Sequence, residues 1–415
     1  MKAFQTLMTV LAASVWSGDV IAQAEATPSM VIETVTIGNP GNAGDPVEFQ
    51  GTFGAVGYVY AIGKYEVTAG QYAAFLNAVA ATDPYALYDE RMWTHAEGCK
   101  IEQAGSPGSY TYSVALDWAT RPVNFISWGD AARFANWLHN GQPTGAPNLT
   151  ITEDGSYFLN GMMSDKELED VVREPDATWV IPTENEWYKA AHHKNDGVTA
   201  NYWNFPTAAN NGVSNDLIDP DPGNNATFRG AAGDFTIGPP YYRTDAGAHE
   251  NSASSYGTFD QGGNVQEFNE TVPEPDIRGI RGGSWFWGDV SKWYRPVDMH
   301  SSDQFSDLGF RVATLEIDAV SVSPIGSAAS LRFAIAGTHP IHDEARFLVE
   351  LPEAGRVRIE FFDVAGRRVA GRIDEALPAG ASEVRWKAGG LAPGIYVARL
   401  SASDRSEMVR FVRIR

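Results

Sequence analysis

Residues 260–268 read Asp260-Gln-Gly-Gly-Asn-Val-Gln-Glu-Phe268, and further along the chain come Arg281-Gly-Gly-Ser-Trp285 and Leu308-Gly-Phe-Arg311. The adjacent glycines of the first segment allow backbone angles that other residues avoid. A tight loop there can turn its carbonyl groups inward, beside the carboxylates of Asp260 and Glu267. Such a loop has the outline of a binding site for a hard cation.

These three segments resemble the core of the formylglycine-generating enzymes, also called sulfatase-modifying factors, which reads G-N-V-W-E-W, R-G-G-S-W and L-G-F-R. The first of them reads Gly263-Asn-Val-Gln-Glu-Phe268 here. The resemblance extends upstream and covers about residues 31–317. The upstream segments are Gly63-Lys-Tyr-Glu-Val-Thr68, Arg121-Pro-Val-Asn124, Ser127-Trp128 and Ile181-Pro-Thr-Glu-Asn-Glu-Trp187. It implies an α+β fold, an irregular domain on a C-type-lectin-like scaffold.

The chain departs from this family at the positions that carry its chemistry. Active members have two cysteines shortly after G-G-S, which bind copper and attack the substrate. The corresponding positions here fall near Trp287 and Lys292. Since thiolates are the soft ligands that select copper(I), the sequence predicts no copper and assigns no catalytic residue.

The resemblance also implies structural calcium, with ligands that can be placed residue by residue. The main site would use the side chains of Asp260 and Glu267 and the carbonyls of Gly263 and Val265. Oxygen-only ligands suit calcium. The alternative is that Glu267 caps a turn without any metal.

A second calcium site is implied at Asn201 and Tyr202, in an Ala-Asn-aromatic segment. Its remaining ligands are expected from the long loop between residues 195 and 261, with Asp216, Asp219 and Asp221 as open choices. The competing interpretation is that these acids only solvate a surface loop.

Length and charge limit the remaining possibilities. A chain of 415 residues exceeds one ordinary domain, and 43% hydrophobic with 12% aromatic residues is typical of a folded protein. The formal net charge of −21 excludes a nucleic-acid-binding role, because a phosphate backbone requires a basic surface. These properties fit an extracellular protein or one that gathers cations.

The N-terminus predicts export. Residues 1–24 combine one positive charge, a short apolar run and the small-x-small site Ala22-Gln-Ala24, typical of a signal peptide. A buried N-terminal strand is the alternative. No stretch has the length of a transmembrane helix. Cys99 is the only cysteine, so no internal disulfide forms, and a packing role is the ordinary expectation for it.

Capping boxes predict three helix starts in the first domain, residues 25–317. The hydroxyls of Thr68, Ser127 and Thr183 each stand three residues before a side chain that can complete the box. Aromatic residues recur afterwards at i, i+3 and i+4 spacing, which predicts helix faces that belong to the core.

A second domain is predicted at residues 331–415, after a linker at 318–330. Residues 320–415 hold 14 Lys+Arg and 11 Asp+Glu, a net of +3, which leaves −24 for residues 1–319. Alternating runs joined by Gly turns predict a small all-β, immunoglobulin-like sandwich. It resembles the C-terminal sorting domains of the type IX secretion system and flagellar hook-capping modules, which implies contact with the secretion machinery. A plain spacer is the alternative.

An aromatic and arginine cluster predicts a ligand groove. It comprises Arg281, Trp285, Trp287, Trp293 and Arg295. Aromatic faces beside a few polar groups hold sugars and extended peptides. A core role is the ordinary explanation for any one of these aromatic residues.

Two functions therefore remain. The first is a secreted or cell-surface, calcium-stabilised binding module without chemistry, with a peptide, a glycan or an extracellular protein as its partner. The alternative is a metal-dependent oxidase or oxygenase with substituted ligands, in which His249 and His300 could take part.

Overall fold

The computed structural model describes residues 30–315, apart from residue 298, and most of residues 332–413. The gaps in the second range are residues 337–340, 342–343, 352–353, 364–366, 370–371, 379, 389–390 and 403–404. The predicted signal peptide, residues 1–24, and the predicted linker, residues 318–330, lie outside the described residues.

A four-stranded antiparallel sheet joins the beginning and the end of the first domain. Its strands, in spatial order, are β1 (Thr34–Ile37), β4 (Tyr60–Gly63), β11 (Ala313–Thr314) and β7 (Trp179–Val180). Strand β4 pairs with β1 on one side and with β11 on the other. The segments near residues 34 and 314 thereby lie on opposite sides of β4.

Three short strands bring the three motif segments together. They are β8 (Gln266–Phe268), β9 (Ile280–Arg281) and β10 (Leu308–Gly309). Strand β8 is central, antiparallel to β9 and parallel to β10, so that Glu267 pairs with both Arg281 and Gly309. The motifs that carry the family resemblance thus form one small sheet.

Two hairpins complete the strands of this domain. They are β2 (Asp45–Val47) with β3 (Gly51–Phe53), and β5 (Ile101–Ala104) with β6 (Thr111–Val114).

The helices begin where the capping boxes predict. The helical segments are α1 (Ala69–Val79), α2 (Arg91–Thr94), a 3-10 turn (Leu116–Trp118), α3 (Trp128–His139), α4 (Asp165–Glu169) and α5 (Glu184–His192). Thr68, Ser127 and Thr183 are the N-caps of α1, α3 and α5, and each box is closed in both directions. Each cap satisfies amide groups that the first helical turn leaves without partners.

The predicted helix faces are core. Phe75 of α1 and Phe134 of α3 lie 5.3 Å apart between ring centroids, and Phe134 lies 5.3 Å from Phe310. All three rings are fully buried. The third motif segment is therefore packed directly against the two main helices. Among the described helices, none has the length and apolar character that a bilayer span requires.

Residues 332–413 form the predicted sandwich of two antiparallel sheets. One sheet has the order β12 (Arg332–Ala336), β13 (Glu344–Leu351), β16 (Gly380–Lys387). The other has the order β15 (Ile373–Leu377), β14 (Gly355–Asp363), β17 (Gly394–Ala402), β18 (Arg405–Arg413). Phe347, Phe361 and Phe411 are fully buried between the sheets. The α+β class with an all-β C-terminal region is confirmed.

Candidate functional site

The loop at residues 260–264 has the backbone that its sequence predicts. Asp260, Gly263 and Asn264 all have positive φ, at 58°, 97° and 52°. A Cβ atom at Gly263 would lie 2.2 Å from the carbonyl oxygen of Thr227, so only glycine fits there. The Gly263 amide donates to the Gly282 carbonyl at 2.9 Å, which ties the loop to the second motif segment.

The Glu267 carboxylate is fully buried and already engaged. Arg311 donates to both of its oxygens at 2.6 Å, and the indole nitrogen of Trp187 donates to Oε2 at 2.8 Å. Arg311 also donates to the carbonyls of Gly63 and Phe259, each at 2.9 Å. The arginine of the third motif thus holds the glutamate of the first motif and two neighbouring segments.

Two further carboxylates lie near this ion pair. Asp260 is partly buried in its loop, and its Oδ2 accepts from the Gly247 amide at 2.6 Å. Glu66 is 2% exposed, and neither of its oxygens has a hydrogen-bond partner among the residues that the structure describes. Burial raises the pKa of Glu66 well above its usual range, and the nearby Asp260 adds to the rise. Burial also raises the pKa of Asp260.

A histidine completes this buried group. His249 is 2% exposed, its Nε2 lies 3.1 Å from the Thr227 hydroxyl, and its Nδ1 has no partner in the described part of the chain. Burial lowers the pKa of His249, so the ring is neutral at physiological pH and brings no compensating charge.

The charges of this group fit a hard cation. Glu66, Asp260 and Glu267 bring three carboxylates, whereas Arg311 brings one guanidinium. Buried carboxylates need a partner, and oxygen ligands are those that calcium prefers. Within the described ranges no three His, Cys, Asp or Glu side chains are arranged to hold a metal ion. The carbonyl oxygens of Gly263 and Val265 are the backbone ligands that the sequence predicts for such a cation.

At the second predicted calcium site, the side chains form hydrogen bonds with residues other than the expected ligands. The side chain of Asn201 donates to Asp196 at 2.7 Å, and the buried Tyr202 hydroxyl donates to the Ala43 carbonyl at 2.9 Å. Asp221 accepts from Asn225, Asn251 and Ser252, which organises the long loop by hydrogen bonds. Asp216 bonds to Ser214. The acid beside Asn201 is thus Asp196, and none of the three acids considered from the sequence contacts its side chain.

Arg281 and Trp285, which were predicted to line the ligand groove, are core residues instead. Arg281 is buried and donates to Glu184 at 2.9 Å. Arg295 donates to both oxygens of Glu184, at 2.6 and 2.9 Å. Trp285 is 2% exposed and packs on Tyr242 with ring centroids 4.7 Å apart. A groove role for Arg281 and Trp285 is therefore corrected, because neither side chain reaches solvent, and Arg295 is held by its ion pair.

The remaining aromatic residues of this segment are exposed. Trp287 is 48% exposed, Phe286 is 41% exposed and Trp293 is also exposed. Phe286 and Trp287 line a cavity of about 460 Å³, together with Phe228 and Arg229. We call these four residues the aromatic patch.

The positively charged side chain of the aromatic patch, Arg229, lies near two aromatic rings. The Arg229 guanidinium lies 5.8 Å from the Phe286 ring centroid and 5.5 Å from that of Phe235. Asn215 and Ser214 add polar groups to the cavity wall. The cavity therefore offers flat apolar faces, one guanidinium and amide and hydroxyl groups.

The positions of the family's two cysteines hold very different side chains. Trp287 is open to solvent, and the Lys292 ammonium donates to Asp45 Oδ2 at 2.8 Å. The Tyr188 hydroxyl donates to the same oxygen at 2.7 Å. Cys99 is fully buried, and burial raises the pKa of its thiol. No thiolate is therefore present where the family chemistry takes place.

The histidines do not form the substitute site considered from the sequence. His249 is buried, whereas the His300 side chain is half exposed and lies 3.9 Å from Asp165. His192 at the end of α5 is buried, and burial holds its pKa well below its usual range. It is therefore a neutral packing residue at the end of α5.

Sequence reasoning missed Glu66, Phe228 and Arg229. Glu66 lies inside the quoted segment Gly63–Thr68, where a lone acid between Tyr65 and Val67 was the available signal. Phe228 and Arg229 lie in the long loop, in which no periodicity pointed to them.

Comparisons with known proteins agree with the motifs. The family of sulfatase-modifying factor enzyme 1-like domains matches residues 55–315, more than half of the chain. No curated protein matches. A structure titled "Crystal Structure of CarF" has 20% identity and a TM-score of 0.38, covering 68% of this chain and 98% of that one. PorZ, described as a surface component of the type IX secretion system of Porphyromonas gingivalis, has 16% identity and a TM-score of 0.16. That match covers 36% of this chain and 16% of PorZ.

Proposed function

The chain belongs to the family of sulfatase-modifying factor enzyme 1-like domains, and on that premise we propose that it is a non-catalytic binding module of this family, exported and stabilised by calcium. Its ligand would be a peptide, a glycan or an extracellular protein, bound at the aromatic patch. Its C-terminal sandwich would direct it to the secretion machinery.

The observation that carries this proposal is the pair of side chains at the cysteine positions. Copper(I) is selected by soft thiolate ligands, and neither an indole nor an ammonium group replaces one. The Lys292 ammonium is also committed to Asp45, at 2.8 Å. The scaffold is retained while the groups that bind copper and attack the substrate are missing, and fold alone does not carry an activity.

The aromatic patch supplies what a binding surface needs. Exposed Phe286 and Trp287 offer broad faces that lose little side-chain freedom on binding, and such faces stack on sugar rings and on extended peptides. The guanidinium of Arg229 adds a forked donor that suits a carboxylate. The surface therefore favours a ligand with an apolar face and an acidic or carbonyl group beside it.

Calcium would act here as a structural ion. With Glu66, Asp260 and Glu267 all ionised, this group would carry more negative charge than Arg311 neutralises, and a divalent cation would balance it. The ion would hold the loop at residues 260–264 against its neighbours. It would take no part in any reaction.

Export is the proposed route for the protein, with residues 1–24 as a signal peptide, 25–317 as the family domain, 318–330 as a linker and 331–415 as the sorting domain. The separate antiparallel sandwich and the contrast in net charge between the two parts support this division. In a host with a type IX secretion system, a chain that ends at residue 317 should remain inside the cell envelope while the full chain reaches the medium or the cell surface. Equal export of both would contradict a sorting role.

The binding role is tested with arrays of glycans and peptides, probed with the purified wild-type chain and with Trp287→Ala. The matched control is Trp93→Ala, because Trp93 is also a partly exposed tryptophan but does not line the cavity. Ligands that are retained by the wild type and by Trp93→Ala, and lost by Trp287→Ala, would support the proposal. Binding that is unchanged in Trp287→Ala would exclude the aromatic patch as the site.

A further inference from the structure

Glu66 is placed between the metal-site loop and the ion pair by backbone hydrogen bonds on both sides of it. The Phe259 amide donates to the Lys64 carbonyl at 2.8 Å, and the Val67 amide donates to the Phe310 carbonyl at 2.9 Å. The segment that contains Glu66 thus runs beside residues 259–260 and beside residues 310–311. Of the charged side chains that act on the Glu66 carboxyl group, Asp260 and Arg311, which belong to these neighbouring segments, have the strongest effect.

The Glu66 side chain is the unsatisfied member of this group. It is nearly completely buried, and both oxygens are without hydrogen-bond partners among the described residues. A carboxylate in this situation carries a large desolvation cost unless a cation or a proton joins it. Asp260 is less deeply buried, and its Oδ2 accepts one hydrogen bond, from the amide of Gly247.

Glu267 differs from Glu66 in this respect. Its two oxygens accept three hydrogen bonds, two from Arg311 and one from the Trp187 indole. A calcium ion on these oxygens would face the Arg311 guanidinium at close range, and the two positive charges would repel each other. The charge of Glu267 is already balanced.

We propose that Glu66 and Asp260 supply the two carboxylate ligands of the structural cation, and that Glu267 serves to hold Arg311 without ligating the ion. This inference rests on the calcium part of the proposed function. The ligand is a hard divalent cation, Ca²⁺, because two carboxylates and backbone carbonyls are oxygen donors. The unpartnered Nδ1 of His249 makes Zn²⁺ the competitor to include in the test.

The variants Glu66→Gln and Glu267→Gln distinguish the two glutamates, and Glu33→Gln is the matched control. Glu33 is an exposed acid that pairs with Lys64 in the same region. The full chain is stripped of metal with a chelator and titrated calorimetrically with CaCl₂, and separately with ZnCl₂. We expect Glu66→Gln to weaken Ca²⁺ binding by at least about tenfold, since it removes a charge and bidentate ligation. Glu33→Gln should bind Ca²⁺ as the wild type does.

Thermal melting gives a second test, in which the expected effect of Glu66→Gln on the melting temperature changes sign when Ca²⁺ is added. Without metal, Glu66→Gln should melt at or above the temperature of the wild type, because it replaces a buried carboxyl group, which is costly to ionise there, by a neutral amide. With saturating Ca²⁺ the order should reverse. Glu267→Gln should instead lower the melting temperature with and without Ca²⁺, because it leaves Arg311 without its partner.

Three results would overturn the assignment of Glu66 as a ligand of Ca²⁺. One is wild-type Ca²⁺ affinity in Glu66→Gln. Another is loss of Ca²⁺ binding in a folded Glu267→Gln with Glu66→Gln unaffected, which would restore Glu267 as the ligand. The third is a wild-type chain that binds no Ca²⁺, which would also remove calcium from the proposed function but leave the binding role of the aromatic patch to its own array test. Tighter binding of Zn²⁺ than of Ca²⁺ would contradict the assignment of the ion.

Discussion

Arg311 donates two hydrogen bonds to Glu267, each 2.6 Å long, and both side chains are fully buried. These residues stand 44 positions apart in the sequence. They join the last motif segment to the first, and Arg311 extends the connection to the Gly63 carbonyl at the end of β4. The ion pair therefore lies where the small motif sheet and the four-stranded sheet meet.

Arg311→Met should destabilise the first domain by roughly 3–5 kcal/mol, because removing one partner leaves the other charge buried and unpaired. The matched control is Lys64→Met at the partly exposed Lys64–Glu33 pair, where the loss should stay below about 1 kcal/mol. Denaturant unfolding followed by tryptophan fluorescence gives both values. Equal losses in the two variants would show that the buried pair contributes no more than a surface pair.

The neighbouring tryptophans Trp285 and Trp287 should respond in opposite ways to alanine substitution. Trp285→Ala removes a buried ring packed on Tyr242 and should cost roughly 3–5 kcal/mol of stability. Trp287→Ala removes a half-exposed ring and should leave the melting temperature nearly unchanged. Thermal melting of both variants under one condition makes the comparison. A large loss for Trp287→Ala would show that its ring belongs to the core.

Asp130→Asn should change the pH dependence of stability. Burial raises the pKa of Asp130 to about 6, against an unfolded value of 3.8, so the native state binds more protons than the unfolded state between these values. This contribution to stability is fully present below pH 3.8 and is lost as the pH rises through about 6. The asparagine variant keeps a cap acceptor and has no such loss.

Relative to the wild type, Asp130→Asn should therefore gain stability between about pH 4 and pH 7, by roughly 3 kcal/mol for a shift of about two pKa units. Denaturant unfolding of both proteins at pH 4.5, 6 and 8 measures this difference. A difference between the two proteins that does not vary with pH would contradict the raised pKa.

Local signals in the sequence predicted the elements whose causes are local. The capping hydroxyls of Thr68, Ser127 and Thr183 act within three residues, so each helix start could be placed. The alternation of apolar and polar residues in 331–415 likewise predicted the sandwich, because a period of two residues shows which side chains of a strand face the core. The three motif segments predicted the family.

The candidate site depended on contacts between distant residues. Arg311 pairs with Glu267 across 44 positions, and Lys292 pairs with Asp45 across 247, so neither partner could be identified from local spacing. The positive φ angles of Gly282 and Gly283 break the alternation after Arg281, and the burial of Trp285 with the exposure of Trp287 could not be read from spacing. Glu66 could be recognised as a candidate ligand only once the burial of its side chain was known.

We propose that the scaffold has lost the family chemistry and retains a binding surface. The most direct measurement incubates the purified protein with copper, oxygen and a Cys-containing sulfatase peptide, and follows formylglycine by mass spectrometry together with oxygen consumption. An active formylglycine-generating enzyme serves as the positive control and copper with peptide alone as the background. With Trp287 and Lys292 near the expected cysteine positions, we expect neither product nor oxygen uptake above the background. Reproducible conversion of the peptide would contradict the proposed loss of the family chemistry.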